Sequence, residues 1–128
     1  MRILLDTHAF LWWVNDAGAL SRRARSAIGR QDNECLVSLA SCWEMAIKVS
    51  LGKLRIPVSV ERFVSEQLAA NGFRELAIEL RHVAGVSRLA FHHRDPFDRL
   101  LVAQAIEEDL SIISADDVFQ RYGVRRVW

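Results

Sequence analysis

The chain has 128 residues, 51% of them hydrophobic, which is enough for one domain to bury a core without disulfide or metal staples. Lysine plus arginine (17) against aspartate plus glutamate (16) leaves a formal charge of +1, so bulk composition advertises neither a nucleic-acid nor an anionic-membrane partner, and any polyanion site must be local. Cys35 and Cys42 lack metal-ligand spacing and suit free thiols in a reducing cytoplasm. No apolar run approaches the ~20 residues of a membrane span, and Asp6 breaks the N-terminal run too early for a signal peptide.

Ile3-Leu4-Leu5 reads as a strand buried on both faces, after which Asp6-Thr7 open a helix over His8 to Val14. Beyond the Asn15-Asp16-Ala17-Gly18 turn, Ser21 is placed to cap a basic amphipathic helix through Arg22, Arg23 and Arg25 that ends near Gly29. Cys35 to Ser38 is the second strand candidate. Ser41 then starts a helix through Trp43, Met45, Ile47 and Val49 that stops at Gly52, with Glu44 in its first turn. Val60 to Ala70 forms the next helix, stopped by Asn71-Gly72. Leu76-Ala77-Ile78 is a third strand candidate, followed by a helix over Arg81 to Arg88. Asp98 to Asp109 carries the best helical pattern, Ser111 to Ser114 is a fourth strand, Val118 to Tyr122 a short helix, and Val124 to Trp128 a last strand. Short apolar strands alternating with helices predict an α/β domain with a parallel sheet covered on both faces, and its site beyond the carboxyl ends of the strands.

Four acids fall where those strand ends and helix starts converge: Asp6 after the first strand, Glu44 on the helix after the second, Asp98 at a helix start, and Asp116 after the fourth strand. Close carboxylates repel, and desolvation makes the repulsion worse, so such a cluster persists only with protons or a cation among them. An oxygen-only donor set suits Mg²⁺ or Mn²⁺ rather than zinc. The plainer reading is that Asp6, Asp95 and Asp116 cap helices, while Glu44 and Lys48 form an i,i+4 surface pair. Trp43, Met45, Ala46 and Ile47 crowd Glu44 with apolar neighbours, however, and leave that helix little polar face.

The segments "ILLDTHAFLWW", "SLASCWEMAIKVSLGKL", "HHRDPFDRLLVAQA" and "SIISADDVFQRYGV", in this order over nearly the whole chain, resemble the PIN domain, specifically the VapC-type toxins of bacterial toxin–antitoxin pairs. The resemblance implies one Rossmann-like PIN domain over residues 1–128 and a Mg²⁺-dependent ribonuclease site. In it Asp6, Glu44, Asp98 and Asp116 match the four acids, while Asp117 doubles the fourth and leaves open which of the pair faces the metal. Asp6 and Asp98 would hold the ion directly or through water, Glu44 and Asp116 would orient its waters, and Thr7 and Ser114 would add supporting hydrogen bonds.

Lys48, Lys53, Arg94 and Arg99 are candidates to hold an RNA backbone; against that, Lys48 can simply pair with Glu44, and Arg99 can be an exposed helix arginine. His92 and His93 could serve as acid or base, although a loop pair is more often structural. Trp12, Trp13, Trp43 and Trp128 could stack bases, but core packing or a partner groove fits them better. The resemblance further implies a VapB-type antitoxin, a toxin homodimer and a toxin–antitoxin hetero-oligomer. The apolar Phe10, Leu11, Trp12 and Trp13 beside Arg22, Arg23 and Arg25 are what a groove for an amphipathic, partly acidic tail needs.

Two rivals remain. A phospho-accepting receiver also places aspartates and Mg²⁺ at strand ends, but it expects an acidic pair after the first strand and a lysine near the last. A non-catalytic toxin-like module in an antitoxin or operator complex would be marked by loss of an acid, and none is lost. Within "HHRDPFDRLL" the spacing assigns a division of labour: Asp95 caps the helix with Pro96 at its first position, and Asp98, too short to close a capping box, is free to point towards Asp6.

Overall fold

The computed structural model describes residues 1–128. Strand β1 (Arg2–Leu5) leads into α1 (Thr7–Val14) and α2 (Arg22–Gly29); β2 (Glu34–Ser38) leads into α3 (Leu39–Ser50) and α4 (Val60–Asn71). β3 (Arg74–Leu76) is followed by α5 (Leu80–Val86) and α6 (Pro96–Glu108), then β4 (Ser111–Ile113), α7 (Val118–Arg121) and β5 (Arg126–Val127). The strands form one sheet of order β3-β2-β1-β4-β5, parallel throughout. Because the chain winds one way from β1 to β2 and β3, and the other way to β4 and β5, the sheet has a switch point beside β1, where a parallel sheet opens a crevice at its carboxyl edge.

Strand alternation sorts the core into two layers. Ile3, Leu5, Cys35, Val37 and Ile113 face Phe10 of α1, Ala24 and Ile28 of α2, and Phe63 and Val64 of α4. Leu4, Leu36 and Ile112 face Leu101, Val102 and Ala105 of α6 together with Val118 and Phe119 of α7. Both cysteines are free thiols, and burial pushes each up to about 11. No helix is long and apolar enough to cross a membrane.

Several expected boundaries shift, and three of the shifts bear on the site and the sheet edges. The α3 cap is Ser38, whose hydroxyl accepts from the Ala40 N–H while bonding Gln104 Oε1 at 2.5 Å. Strand β2 therefore runs straight into the helix, Ser41 lies buried inside it, and Glu44 sits near its middle rather than in its first turn. The third strand lies two residues earlier than the apolar run Leu76-Ala77-Ile78 suggests: β3 is an edge strand, where Arg74 and Glu75 are exposed and Arg74 pairs with Glu34 at 3.2 Å. The last strand contracts to Arg126–Val127 at the other edge. Gly72 closes α4 in the left-handed region, at φ 65°, as the Asn-Gly stop predicts.

Phe10, expected on a partner face, is instead completely buried, with ring centroids 6.2 Å from Phe63 and 6.3 Å from Phe73. Its position in α1 points it at the sheet. We predict that Phe10→Ala costs about 3–5 kcal/mol of unfolding free energy in a urea titration, whereas a partner-facing residue would change stability by less than about 0.5 kcal/mol.

Candidate metal and active site

Asp6 stands immediately after β1, and its backbone N–H donates to the Ile113 carbonyl at 3.1 Å, which ties the ends of β1 and β4 together. Its Oδ1 caps α1 by accepting from the Ala9 N–H at 2.8 Å. The side chain is buried, and burial raises its pKa above the usual carboxylate value; the Ser114 hydroxyl and the Ala9 N–H oppose that rise, His8 also lowers it, and Glu44 adds to it. Next along the chain, Thr7 donates its hydroxyl to Glu44 Oε1 at 2.7 Å, bringing the middle of α3 to the end of β1. Lys48 holds the other Glu44 oxygen at 2.9 Å.

Asp98 enters from the start of α6. The Asp95 Oδ1 accepts from the N–H groups of Phe97 and Asp98 at 2.9 and 3.0 Å, with Pro96 at the first helical position, so Asp95 carries the whole cap. The Asp98 carboxylate takes no part in it. Burial first, then the charges of Asp95, Asp6, Glu44 and Asp116, push its pKa up to about 7. Asp116 completes the group: its N–H donates to the Ser114 hydroxyl, and its Oδ1 accepts from the Val118 N–H, both at 3.0 Å. Asp116, not Asp117, is among the charges that raise Asp98; both aspartates are exposed, and Asp117 makes no side-chain cap bond.

The structure thus brings Asp6, Thr7, Glu44, Asp98, Ser114 and Asp116 together at the carboxyl edge of the sheet. The capping and catalytic readings are not exclusive, because Asp6 and Asp116 each hold a backbone N–H with one oxygen while belonging to the cluster. The set fits a hard divalent cation: its donors are carboxylate oxygens, and two of them have their charged form disfavoured by burial and neighbouring charge. A second group, Glu79, His82 and Glu108, has ligand atoms within 4.8 Å of one another, at the amino edge. It does not fit. The Nδ1 of His82 accepts the Glu79 N–H at 3.0 Å, so its Nε2 carries the proton and lies 3.0 Å from Glu108, while Arg81 bridges Glu79 and Glu108. The largest groove, about 490 Å³ among Met1, Arg2, Asp109, Ser111 and Arg125, likewise lies away from the four acids.

Arg99 corrects the expectation of an RNA contact or an exposed helix arginine. It is buried, and its guanidinium donates to the Ala90 carbonyl at 2.8 Å, the Tyr122 hydroxyl at 3.1 Å and the carbonyls of His93, Leu89 and Val86 at 3.4 to 3.5 Å. Lys48 is engaged with Glu44, whereas Lys53 and Arg94 are exposed and make no ion pair. Trp12 packs on Trp128 at 5.8 Å, and Trp13 donates its Nε1–H to Asn71 at 2.9 Å. Trp43 alone among the tryptophans is largely exposed, edge-on to Phe97 at 5.1 Å on the helices that carry Glu44 and Asp98. Leu11 is half-buried and Arg22 and Arg23 are exposed, but Arg25 is tied to Asp16 and the Ala17 carbonyl.

A parallel five-stranded sheet with acids from β1, α3, α6 and the β4 end at its carboxyl edge defines an α/β domain of the acid-cluster type. The chain belongs to the PIN domain family, which matches residues 3–125. It is 30% identical to Ribonuclease VapC22 of Mycobacterium tuberculosis over 115 residues, 89% of this chain and 86% of that protein. Among solved structures it resembles VapBC2 from Rickettsia felis bound to a DNA fragment from its promoter, with TM-score 0.73 and 14% identity over 98% of this chain and 97% of the other. It also resembles VapBC-1 from nontypeable Haemophilus influenzae, with TM-score 0.67 and 15% identity over 98% and 96%. At these identities the structural likeness is one of fold.

The raised Asp98 pKa makes a signed prediction. Between its unfolded value of 3.8 and about 7 the folded chain holds a proton that the unfolded chain releases, so stability without cation falls as pH rises through that window and levels off above it. Asp98→Asn should flatten this slope and raise the melting temperature at pH 7.5, while Mg²⁺ should stabilise the native chain and not the variant. Asp95→Asn should leave stability nearly unchanged and Asp95→Ala should cost about 1 kcal/mol. Thermal melts of the four proteins across pH, with and without Mg²⁺, check all of this.

Proposed function

We propose that this chain is a metal-dependent endoribonuclease that hydrolyses RNA phosphodiester bonds, using Mg²⁺ or Mn²⁺, and that a VapB-type antitoxin restrains it. The observation that carries the reading is the convergence of four carboxylates on one sheet edge, with Asp98 held at about 7 by burial and its acidic neighbours. Membership of the PIN domain family and the name of the Mycobacterium tuberculosis relative support it.

In this reading Asp6 and Asp98 hold the ion, directly or through its waters, and Glu44 and Asp116 orient those waters. When bound, the ion supplies a water activated for in-line attack and neutralises charge on the phosphate. No side-chain nucleophile is required. Thr7 and Lys48 fix the Glu44 carboxylate, and Ser114 supports both Asp6 and the Asp116 backbone. Lys53 and Arg94 supply free positive charge for the RNA backbone, and the exposed Trp43 ring offers a face to a base. The chain acts in the cytoplasm as a homodimer and in a hetero-oligomer with its antitoxin. The antitoxin face comprises Leu11, Trp12 and Trp13 with Arg22 and Arg23; Phe10 does not contribute. The alternative, a toxin-like module that binds without cutting, predicts no cleavage of any RNA at high protein excess.

Incubation with structured RNAs and Mg²⁺ should give cleavage that EDTA abolishes and that Asp6→Asn and Asp98→Asn each reduce by more than about 100-fold. Failure of the native chain to cut any RNA would favour the binding module. For the partner face, Arg22→Glu combined with Arg23→Glu should abolish co-purification with the antitoxin while leaving the melting temperature intact; unchanged co-purification would remove this face from the assignment.

A further inference from the structure

Asp98 is the one acid of the cluster that neither caps a helix nor bonds a hydroxyl or lysine, yet a cation site needs its carboxylate held in one rotamer. The basic group beside it is His93. Its Nε2 is buried and without a hydrogen-bond partner, and lies 3.5 Å from Asp98 Oδ2. On the other side of the ring, His93 Nδ1 lies 2.7 Å from the Tyr122 hydroxyl. That hydroxyl accepts from Arg99 at 3.1 Å, and a guanidinium can only donate. Since Arg99 uses the oxygen only as an acceptor, the phenolic proton is free for His93 Nδ1, and a neutral imidazole that accepts there carries its proton at Nε2. Arg99 also holds the His93 carbonyl at 3.4 Å and is covered by the Phe91 ring, 4.3 Å from centroid to guanidinium carbon. The Nδ1 end of the imidazole and the His93 carbonyl are thus held from outside the site.

We infer that His93 is a positioning residue for Asp98: the chain Arg99, Tyr122, His93 holds Nε2 3.5 Å from Asp98 Oδ2, where a small shift closes a hydrogen bond, and leaves Oδ1 as the free oxygen for a cation. The inference rests on the reading of the acids as a cation site. Burial of Nε2 keeps His93 away from solvent and so from proton exchange with a substrate. The role also explains why a buried arginine and a tyrosine hydroxyl stand behind the acids without touching them. Bonding by an outer partner of this kind typically changes metal affinity or activity about 10–100-fold.

Two measurements test it on the whole chain. Long-range ¹H–¹⁵N correlation spectra of the histidine rings, recorded without cation at pH about 8.5, above the ordinary histidine pKa, should show His93 protonated at Nε2; its signals are assigned by their loss in His93→Gln. Tyr122→Phe should remove that preference. A ring protonated at Nδ1 would overturn the inference. Calorimetric titration with Mn²⁺ should show affinity reduced about 10–100-fold in His93→Ala and largely restored in His93→Gln, whose amide N–H reaches the Nε2 position. In RNA cleavage the Ala variant should lose kcat with little change in KM. Equal loss in the Ala and Gln variants would mean that the ring serves packing, and no loss in either would mean that it serves nothing at the site; both outcomes contradict the inference. A native chain that binds no Mn²⁺ would overturn the cation reading of the site and with it the use proposed for Oδ1, whereas an Nδ1-protonated His93 in a chain that does bind Mn²⁺ would overturn the inference alone.

Discussion

Burial of negative charge at the carboxyl edge of the sheet is the constraint that orders this structure. Asp6 is buried at the end of the strand on which the sheet turns, and it is placed there by the same β1–β4 pairing that builds the core. Glu44, Asp98 and Asp116 are then brought towards it by a helix middle, a helix start and a strand end. Asp98, the acid with the fewest partners of its own, has its pKa raised first by burial and then by the charges of Asp95, Asp6, Glu44 and Asp116.

The remainder of the site distributes that repulsion. Asp6 and Asp116 lend one oxygen to a backbone N–H, and Glu44 is divided between Thr7 and Lys48. Buried polar groups one layer further out then fix the helices that present the acids. Gln104 links α6 to the Ser38 cap and to the Ala77 carbonyl, and Arg99 gathers the carbonyls of the segment between α5 and α6. These groups are fully engaged, as burial demands. They make the start of α6 a rigid platform, which is what a cation site needs from the element that carries Asp98.

Much of this was legible in the sequence, and for identifiable reasons. The central strands are continuous apolar runs because both their faces are buried, so β1, β2 and β4 announce themselves, as does the Asp95-Pro96 helix start. The edge strand β3 does not, since Arg74 and Glu75 need no apolar partner. The four acids stand out through their position after strands and the apolar setting of Glu44. The supporting shell is hidden because an arginine or histidine carries no mark of burial: Arg99 looks like a phosphate ligand, and His93 like a loop residue, until the carbonyls and the hydroxyl around them are seen. Phe10 does not stand apart in the sequence because a short apolar helix has no polar face by which to tell core from surface, and only packing separates it from its neighbours.

The central claim is that these carboxylates are gathered to hold a divalent cation, and diffraction tests it most directly. Crystals grown with Mn²⁺ and measured at the manganese edge should give an anomalous peak bounded by Asp6 and Asp98, with Glu44 and Asp116 around it. A peak at Glu79, His82 and Glu108 instead, or no peak at the carboxyl edge at saturating Mn²⁺, would contradict the account.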